Sequence, residues 1–319
     1  DINTYTSFNN LTLNKTYSGL DGLELNDSIY IMENLEIQDG TFEMNSGSRL
    51  YIIEKLTIGA GSGLNANDPD VMIYIGDDWI DENLTNSSTL GFSAGTGSTV
   101  HFLNKDVIQT VRENNPFNDV VVNGNATYTR PDVHNLACRN LSVIDGAFRL
   151  YGYKVTVSQD VSVRWASLRV DMAGDSLVIG DDMLWDIGST GAVTAGKILV
   201  GGDWTFKYGT NIVLGTGNTV IFNQNEDSDI SNYDPEAAFG NLEISKSDPT
   251  ARTSLFITST DTTRIAGTLT IKAANELIVT TWQELVVQGA VTIQPTGTLR
   301  LEGYFRNDHP TFILGGNMV

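Results

Sequence analysis

Short apolar triplets recur along this chain at a nearly constant step, and that step limits the fold more than any other feature. Leu11-Thr12-Leu13, Leu35-Glu36-Ile37 and Leu56-Thr57-Ile58 are followed by Trp79. Further on, Val120-Val121-Val122, Leu141-Ser142-Val143, Val161-Ser162-Val163, Met183 and Trp204 continue the series. Within each run the step lies between 20 and 24 residues. The outer residues of a triplet share one face, and the middle residue, usually Thr, Ser or Glu, takes the other; this is the period of a half-buried strand. No segment has a helical period. One turn of chain at this step cannot bury its inward side chains, but turns stacked above and below can. The expectation is an all-β chain. Residues 1–319 are expected to form a single continuous parallel β-helix (β-solenoid) of about 15 coils, right-handed as parallel crossovers usually are.

A longer repeat lies over the short one. Gly76-Asp77-Asp78-Trp79 is followed by Gly95-Thr96-Gly97-Ser98-Thr99-Val100-His101-Phe102, and Gly202-Asp203-Trp204 by Gly215-Thr216-Gly217-Asn218-Thr219-Val220-Ile221-Phe222. Phe8-Asn9-Asn10-Leu11, Phe117-Asn118-Asp119-Val120 and Phe239-Gly240-Asn241-Leu242 open three blocks, 8–116, 117–238 and 239–319, the last truncated. Residues 311–319 match 197–205, with Met318 in the Trp204 position, and Asp1-Ile2 resembles Asp229-Ile230. On this alignment the chain starts and stops inside the repeat, nearly in phase.

The order Gly-Asp-Trp, Gly-Thr-Gly-x-Thr-Val-x-Phe, Phe-x-Asn-Leu-x-Ile resembles the repeat of large bacterial surface proteins, notably of Bacteroidota. The match is carried by Asp78, Trp79, Gly95, Thr96, Gly97, Thr99, Val100 and Phe102, then by Asp203, Trp204, Gly215, Thr216, Gly217, Thr219, Val220, Phe222, Phe239, Asn241 and Leu242. The resemblance implies an extracellular or cell-surface β-helical adhesin or fibre. On this reading the chain is expected to depart from that type in lacking a sorting or anchoring module after Val319.

Charge removes several partners. With 39 Asp and Glu against 19 Lys and Arg, the net charge is −20. Nucleic acid needs cations to neutralise phosphate, so it is excluded as a partner, and an anionic membrane surface is disfavoured likewise. No apolar run is long enough for membrane insertion. Cys138 is the only cysteine, so there is no internal disulfide; it reads as a small buried hydrophobe. A start at Asp1 without a signal segment reads as a mature, processed form.

Catalytic chemistry finds little support. Asp77 with Asp78 and Asp181 with Asp182 are the adjacent carboxylate pairs that a polysaccharide lyase or hydrolase would draw on. Neighbours on a strand point to opposite faces, so each pair offers one carboxylate per face, and Gly-Asp-Asp reads as turn chemistry. His101, His134 and His309 have no partner at metal-ligand spacing. A structural Ca²⁺ would have to use Asn67-Asp68-Pro69-Asp70 or Glu226-Asp227-Ser228-Asp229. The expectation is no catalytic residue, no metal and no cofactor.

Two kinds of contact remain. Trp165, Trp185 and Trp282 do not recur in the repeat, so they are the candidates for glycan contacts. Ile2, Phe8, Leu11 and Leu13 near the start, and Phe312, Ile313, Leu314, Met318 and Val319 near the finish, are apolar where a monomeric solenoid would carry a polar cap. They are the candidate subunit interface of a head-to-tail homopolymer, an extracellular filament. A monomeric surface adhesin binding glycans is the alternative.

Overall fold

The computed structural model describes residues 6–14, 22–83, 90–103, 108–124, 128–132, 135–210, 212–224, 226–246, 253–255, 262–280, 283–302 and 311–318. The regular elements among them are all strands, they pair in parallel, and they stack as a β-solenoid. The chain forms two compact units, Asp1–Arg149 and Leu150–Val319, whose boundary falls inside the second sequence block rather than at a block opening.

In each unit a turn has three faces. The first ends at the Gly-Asp-Trp corner, the second begins there, and the third closes the turn. In unit one the first face stacks Ser28–Ile31, Arg49–Ile52, Met72–Ile75, Thr99–Phe102 and Phe117–Asn123. The second face stacks Leu11–Asn14, Leu35–Asp39, Leu56–Ile58, Trp79–Asp81 and Ile108–Arg112. The third stacks Leu23–Leu25, Thr41–Met44, Gly63–Ala66 and Gly91–Ala94. The triplet steps read from the sequence are the stacking steps: Leu11 pairs with Leu35, Leu35 with Leu56 and Leu56 with Trp79. Leu35, Leu56 and Trp79 are fully buried. Each such side chain contributes about 1.5–3 kcal/mol on leaving water.

Because the register does not slip from Ser28–Ile31 through Thr99–Phe102, outward residues also stack there. Tyr30, Tyr51, Tyr74 and His101 lie ring on ring, with centroids 4.3, 4.5 and 4.5 Å apart. Their faces cover one another and only edges meet solvent. Burial in this ladder lowers the His101 pKa.

Unit two repeats the plan. Its first face runs through Lys154–Val157, Ser176–Ile179, Lys197–Val200, Thr219–Phe222 and Asn241–Ile244. The second runs through Val161–Val163, Met183–Trp185, Trp204–Phe206 and Ser228–Asn232. The third includes Ser167–Val170, Thr190–Val193, Thr262–Ile265, Glu284–Val287 and Thr311–Leu314.

Two details of the expectation do not carry over: the right hand, and the count, which is about 12 turns rather than 15. The preference for a right hand comes from crossovers that carry a helix, and these carry none. The count falls because some turns are long: Thr110 stacks on Asp78, 32 residues earlier.

The block openings also need correction. Phe8-Asn9-Asn10-Leu11 passes from the first face to the second, since Phe8 pairs with Ile31 and Leu11 with Leu35. Phe117 and Val120 instead lie in one strand of the first face. Phe239-Gly240-Asn241-Leu242 passes from the third face to the first. The last segment is displaced in the same way. Thr311–Leu314 belongs to the third face and Met318 bridges to Val291 on the first, so Met318 does not occupy the Trp204 position. Every corner needs an apolar residue to end one strand, a Gly or Asx to turn, and an apolar residue to open the next. The motif therefore marks a corner without saying which one.

Candidate functional site

Each Gly-Asp-Trp copy opens a buried strand, Trp79 in the 14-stranded sheet and Trp204 in the 21-stranded one, so the two copies do not occupy one corner. Trp79 stacks between Leu56 and Val111, and Trp204 between Met183 and Ile230. Both indoles are buried. Trp79 meets Phe92, Phe117 and Phe102 with ring centroids 4.9, 5.3 and 6.3 Å away, and Trp204 meets Phe239 and Phe206 at 5.4 and 5.5 Å. Aromatic pairs of this kind add about 0.5–1.5 kcal/mol beyond burial. A longer turn encloses more volume, and the aromatic cluster fills it.

The acid before each tryptophan has one recurring task. Asp160 Oδ1 accepts the backbone N–H of Asp182 at 3.2 Å, Asp182 Oδ1 that of Asp203 at 2.7 Å, and Asp203 Oδ1 that of Asp229 at 2.8 Å. In unit one Asn10 does this for Asn34 at 3.1 Å, Asn34 for Lys55 at 3.3 Å and Asp78 for Thr110 at 2.7 Å. The N–H at a corner lies outside the strand ladder, and the acid of the turn before supplies its acceptor. Of the pairs considered for catalysis, Asp78 and Asp182 are thus backbone caps.

The column holds like charges one turn apart, and its acidities respond. Burial pushes the Asp182 carboxyl up, helped by Asp203, Asp181 and Asp160 and opposed by the bond from the Asp203 N–H. Asp229 is pushed up to about 6 by burial, Asp203 and Asp227, with Lys246 pulling the other way. In unit one burial, then Asp78 and Glu54, raise Asp77. Lys246 closes the column, its Nζ donating to Ser228 Oγ at 3.0 Å and to the Glu226 carbonyl. Oxygens of Asp160, Asp181 and Asp182 lie within 4.8 Å of one another, an exposed group already linked through the ladder. The loops considered for Ca²⁺ are engaged in the same manner. Asp68 accepts the Ser46 N–H at 3.1 Å and Asn67 the Ser93 hydroxyl at 2.8 Å. Asp229 belongs to the column.

Sequence reading missed a buried pair of acids. Asp81 and Glu113 are both buried under Trp79. Glu113 Oε2 accepts the indole N–H at 2.9 Å, and its Oε1 accepts the backbone N–H of Asn114 and Asn115, each at 2.9 Å. Asp81 accepts from the N–H of Asn83 at 2.8 Å and of Phe92 at 3.2 Å. Burial first, and the Asp81 charge second, push the Glu113 carboxyl well above its usual range. At the second copy the positions two beyond Trp204 and Ile230 are Phe206 and Asn232, which pair with each other. The acid pair is thus replaced together. The 3.6-free pattern of a strand offers no sign of this, because Asp81 and Glu113 meet only across one turn.

The remaining predicted residues separate clearly. Trp165 is exposed on a turn. Trp185 is not: it is fully buried, since in Met183–Trp185 the outer residues point inward, and it stacks near Trp204 at 6.3 Å. Trp282, Ile2, Val319, His134 and His309 lie outside the described residues. Cys138 is buried, and burial together with Asp119 pushes its thiol up to about 12, which makes it a packing residue. A shallow groove of about 500 Å³ crosses the second face of unit one beside Asn10, Asn34, Glu36 and Lys55.

The apolar residues near the two extremes sit on strands paired on one side among the described residues. Leu11 and Leu13 are half-buried, whereas Leu35, Ile37, Leu56 and Ile58 in the same columns are fully buried. Phe312 and Leu314 are half-buried on top of the fully buried Leu285 and Val287. Phe8, Ile313 and Met318 are exposed.

No protein-family model, no curated protein and no solved structure matches this chain.

Proposed function

We propose that the protein is structural, an extracellular surface-filament subunit that assembles head to tail by stacking the outer turn of unit one on the outer turn of unit two of another copy. One observation carries the reading. Columns that are fully buried at Leu35 and Leu56, and at Leu285 and Val287, reach the outer strands as half-buried Leu11, Leu13, Phe312 and Leu314, on strands paired on one side among the described residues. A strand with unpaired N–H and C=O groups and an apolar inward row is a template for another parallel strand. A contact between two unlike surfaces that does not close on itself yields an open filament. The resemblance of the repeat to bacterial surface proteins supports the extracellular setting. The use of Asp78, Asp182 and Asp203 as backbone caps supports a mechanical role over an enzymatic one.

Electron microscopy of the purified chain over a rising concentration series tests this. Filaments that lengthen with concentration are expected, and Leu13→Asp or Phe312→Asp should abolish them while the strand signal in circular dichroism persists. Monodisperse single particles at every concentration would sink the proposal.

A further inference from the structure

On unit two, three consecutive turns place a large apolar side chain at the same exposed spot. Val163, Trp185 and Phe206 are stacked partners on the second face. Two residues beyond each stand Trp165, Ile187 and Tyr208, which are 59%, 43% and 72% exposed. The turns stay in step: the Trp165 N–H donates to the Ile187 carbonyl at 3.2 Å and the Gly188 N–H to the Gly209 carbonyl at 3.2 Å. Neighbouring turns of a solenoid lie about 4.8 Å apart, so the three side chains form a short ridge along the stacking direction.

The ridge is built, not incidental. Trp165 holds a φ of 55°, a conformation that a bulky residue adopts only when its surroundings impose it. Its indole lies across Gly188, where a Cβ would run into ring atoms Cε3 and Cζ3. One ring face is thus backed by the Gly188 turn. This is the reverse of the tyrosine ladder in unit one, where each ring covers the next. The residues one position earlier form a polar row beside the ridge. Arg164 and Asp186 form an ion pair at 3.8 Å, and Lys207 sits 5.4 Å over the Tyr233 ring.

We infer that this ridge is a binding site for a polysaccharide strand, with sugar rings stacking their C–H faces on Trp165 and Tyr208 and hydroxyls bonding to the Arg164–Asp186–Lys207 row. Three features select this occupant. Flat rings with donors and acceptors of both signs alongside suit an uncharged, hydroxyl-rich polymer. Positions repeating every turn suit a ligand that itself repeats. Size rules against a folded protein: at their exposures the two rings leave on the order of 300 Å² in water, well short of the ~800 Å² per partner of a stable protein interface. The inference does not rest on filament assembly, because the ridge is complete within one unit.

The test is retention of the full chain on a panel of immobilised neutral polysaccharides (cellulose, xylan, mannan and chitin), followed by tryptophan-fluorescence titration with soluble oligomers of whichever is bound. Trp165→Ala and Tyr208→Ala should each weaken binding about tenfold with unchanged melting. Gly188→Ala should weaken it by displacing the indole, although no aromatic side chain is removed. Failure to retain the chain on any member of the panel overturns the inference, as does binding that the Trp165 and Tyr208 variants leave intact. If those variants instead alter only the lateral bundling of filaments, the ridge is a self-contact and the inference falls.

Discussion

At the scale of single residues, the most consequential side chain is one the repeat does not advertise. Glu113 is buried beside Asp81 and accepts three N–H groups, one of them from Trp79. Its carboxyl is raised, by burial first and the Asp81 charge second. A raised carboxyl contributes stability that is whole below the unfolded value of about 4.3 and is lost as pH rises toward the folded value, at about 1.4 kcal/mol per pH unit. The wild-type melting temperature should therefore fall as pH rises above about 4.5. Glu113→Gln should flatten that slope, even though the amide satisfies the indole less well. Equal slopes in thermal melts of the two proteins would contradict this. Trp79→Ala tests packing at the same place. Removing a fully buried indole from a cluster of three phenylalanines should cost about 3–5 kcal/mol in urea unfolding, far more than any exposed tryptophan change.

At the scale of elements, the strand triplets and the corner acids follow different physics, and only the first is periodic in sequence. Inward residues such as Leu35 and Leu56 are legible because burial demands an apolar side chain at every turn. Corner acceptors are interchangeable: Asn10, Asn34, Asp78, Asp160, Asp182 and Asp203 all offer one oxygen to the next N–H. Gly-Asp-Asp therefore looks the same in sequence wherever it stands, and only the structure shows Asp182 accepting the Asp203 N–H. The run of acids carries a cost that can be measured. Asp229 is raised to about 6, by burial and then by Asp203 and Asp227. The stability it contributes is whole below about 3.9 and fades as pH rises through 6. Asp229→Asn should raise the melting temperature above pH 6 and leave it unchanged at pH 4. Since the group is only half-buried, the gain, discounted for solvent screening, is about 1 kcal/mol or less. A gain that is equal at both pH values would show that charge is not the cause.

At the scale of the whole molecule, a stacked-turn protein is stabilised by contacts between nearest neighbours, so its outermost turns are its weakest. Hydrogen exchange should show this as a gradient. Amides of Leu11–Asn14 and Thr311–Leu314 exchange fastest in dilute protein, and those of Leu35–Asp39 and Glu284–Val287 more slowly. If copies stack end to end, the outer amides should gain protection as concentration rises. A loss of the gradient without any change in particle size would separate slow exchange from assembly.

What the sequence determined by itself is the class of fold and its pitch: alternation set the strands, and apolar residues recurring every 20 to 24 positions set the stacking. Both follow from burial, which every turn must satisfy and therefore writes into every turn. The tertiary structure alone decided which corner each Phe-x-Asn or Gly-Gly-Asn belongs to, because all corners ask for the same residues. It also decided that Trp185 is core while Trp165 is surface, since Trp185 is the inward end residue of its strand and Trp165 lies two positions beyond the end of the stacked strand, on a turn with positive φ. And it alone brought Asp81 to Glu113, and Trp165, Ile187 and Tyr208 to one ridge. Those are neighbours only across turns, and the length of the intervening loop, not any local pattern, sets their register.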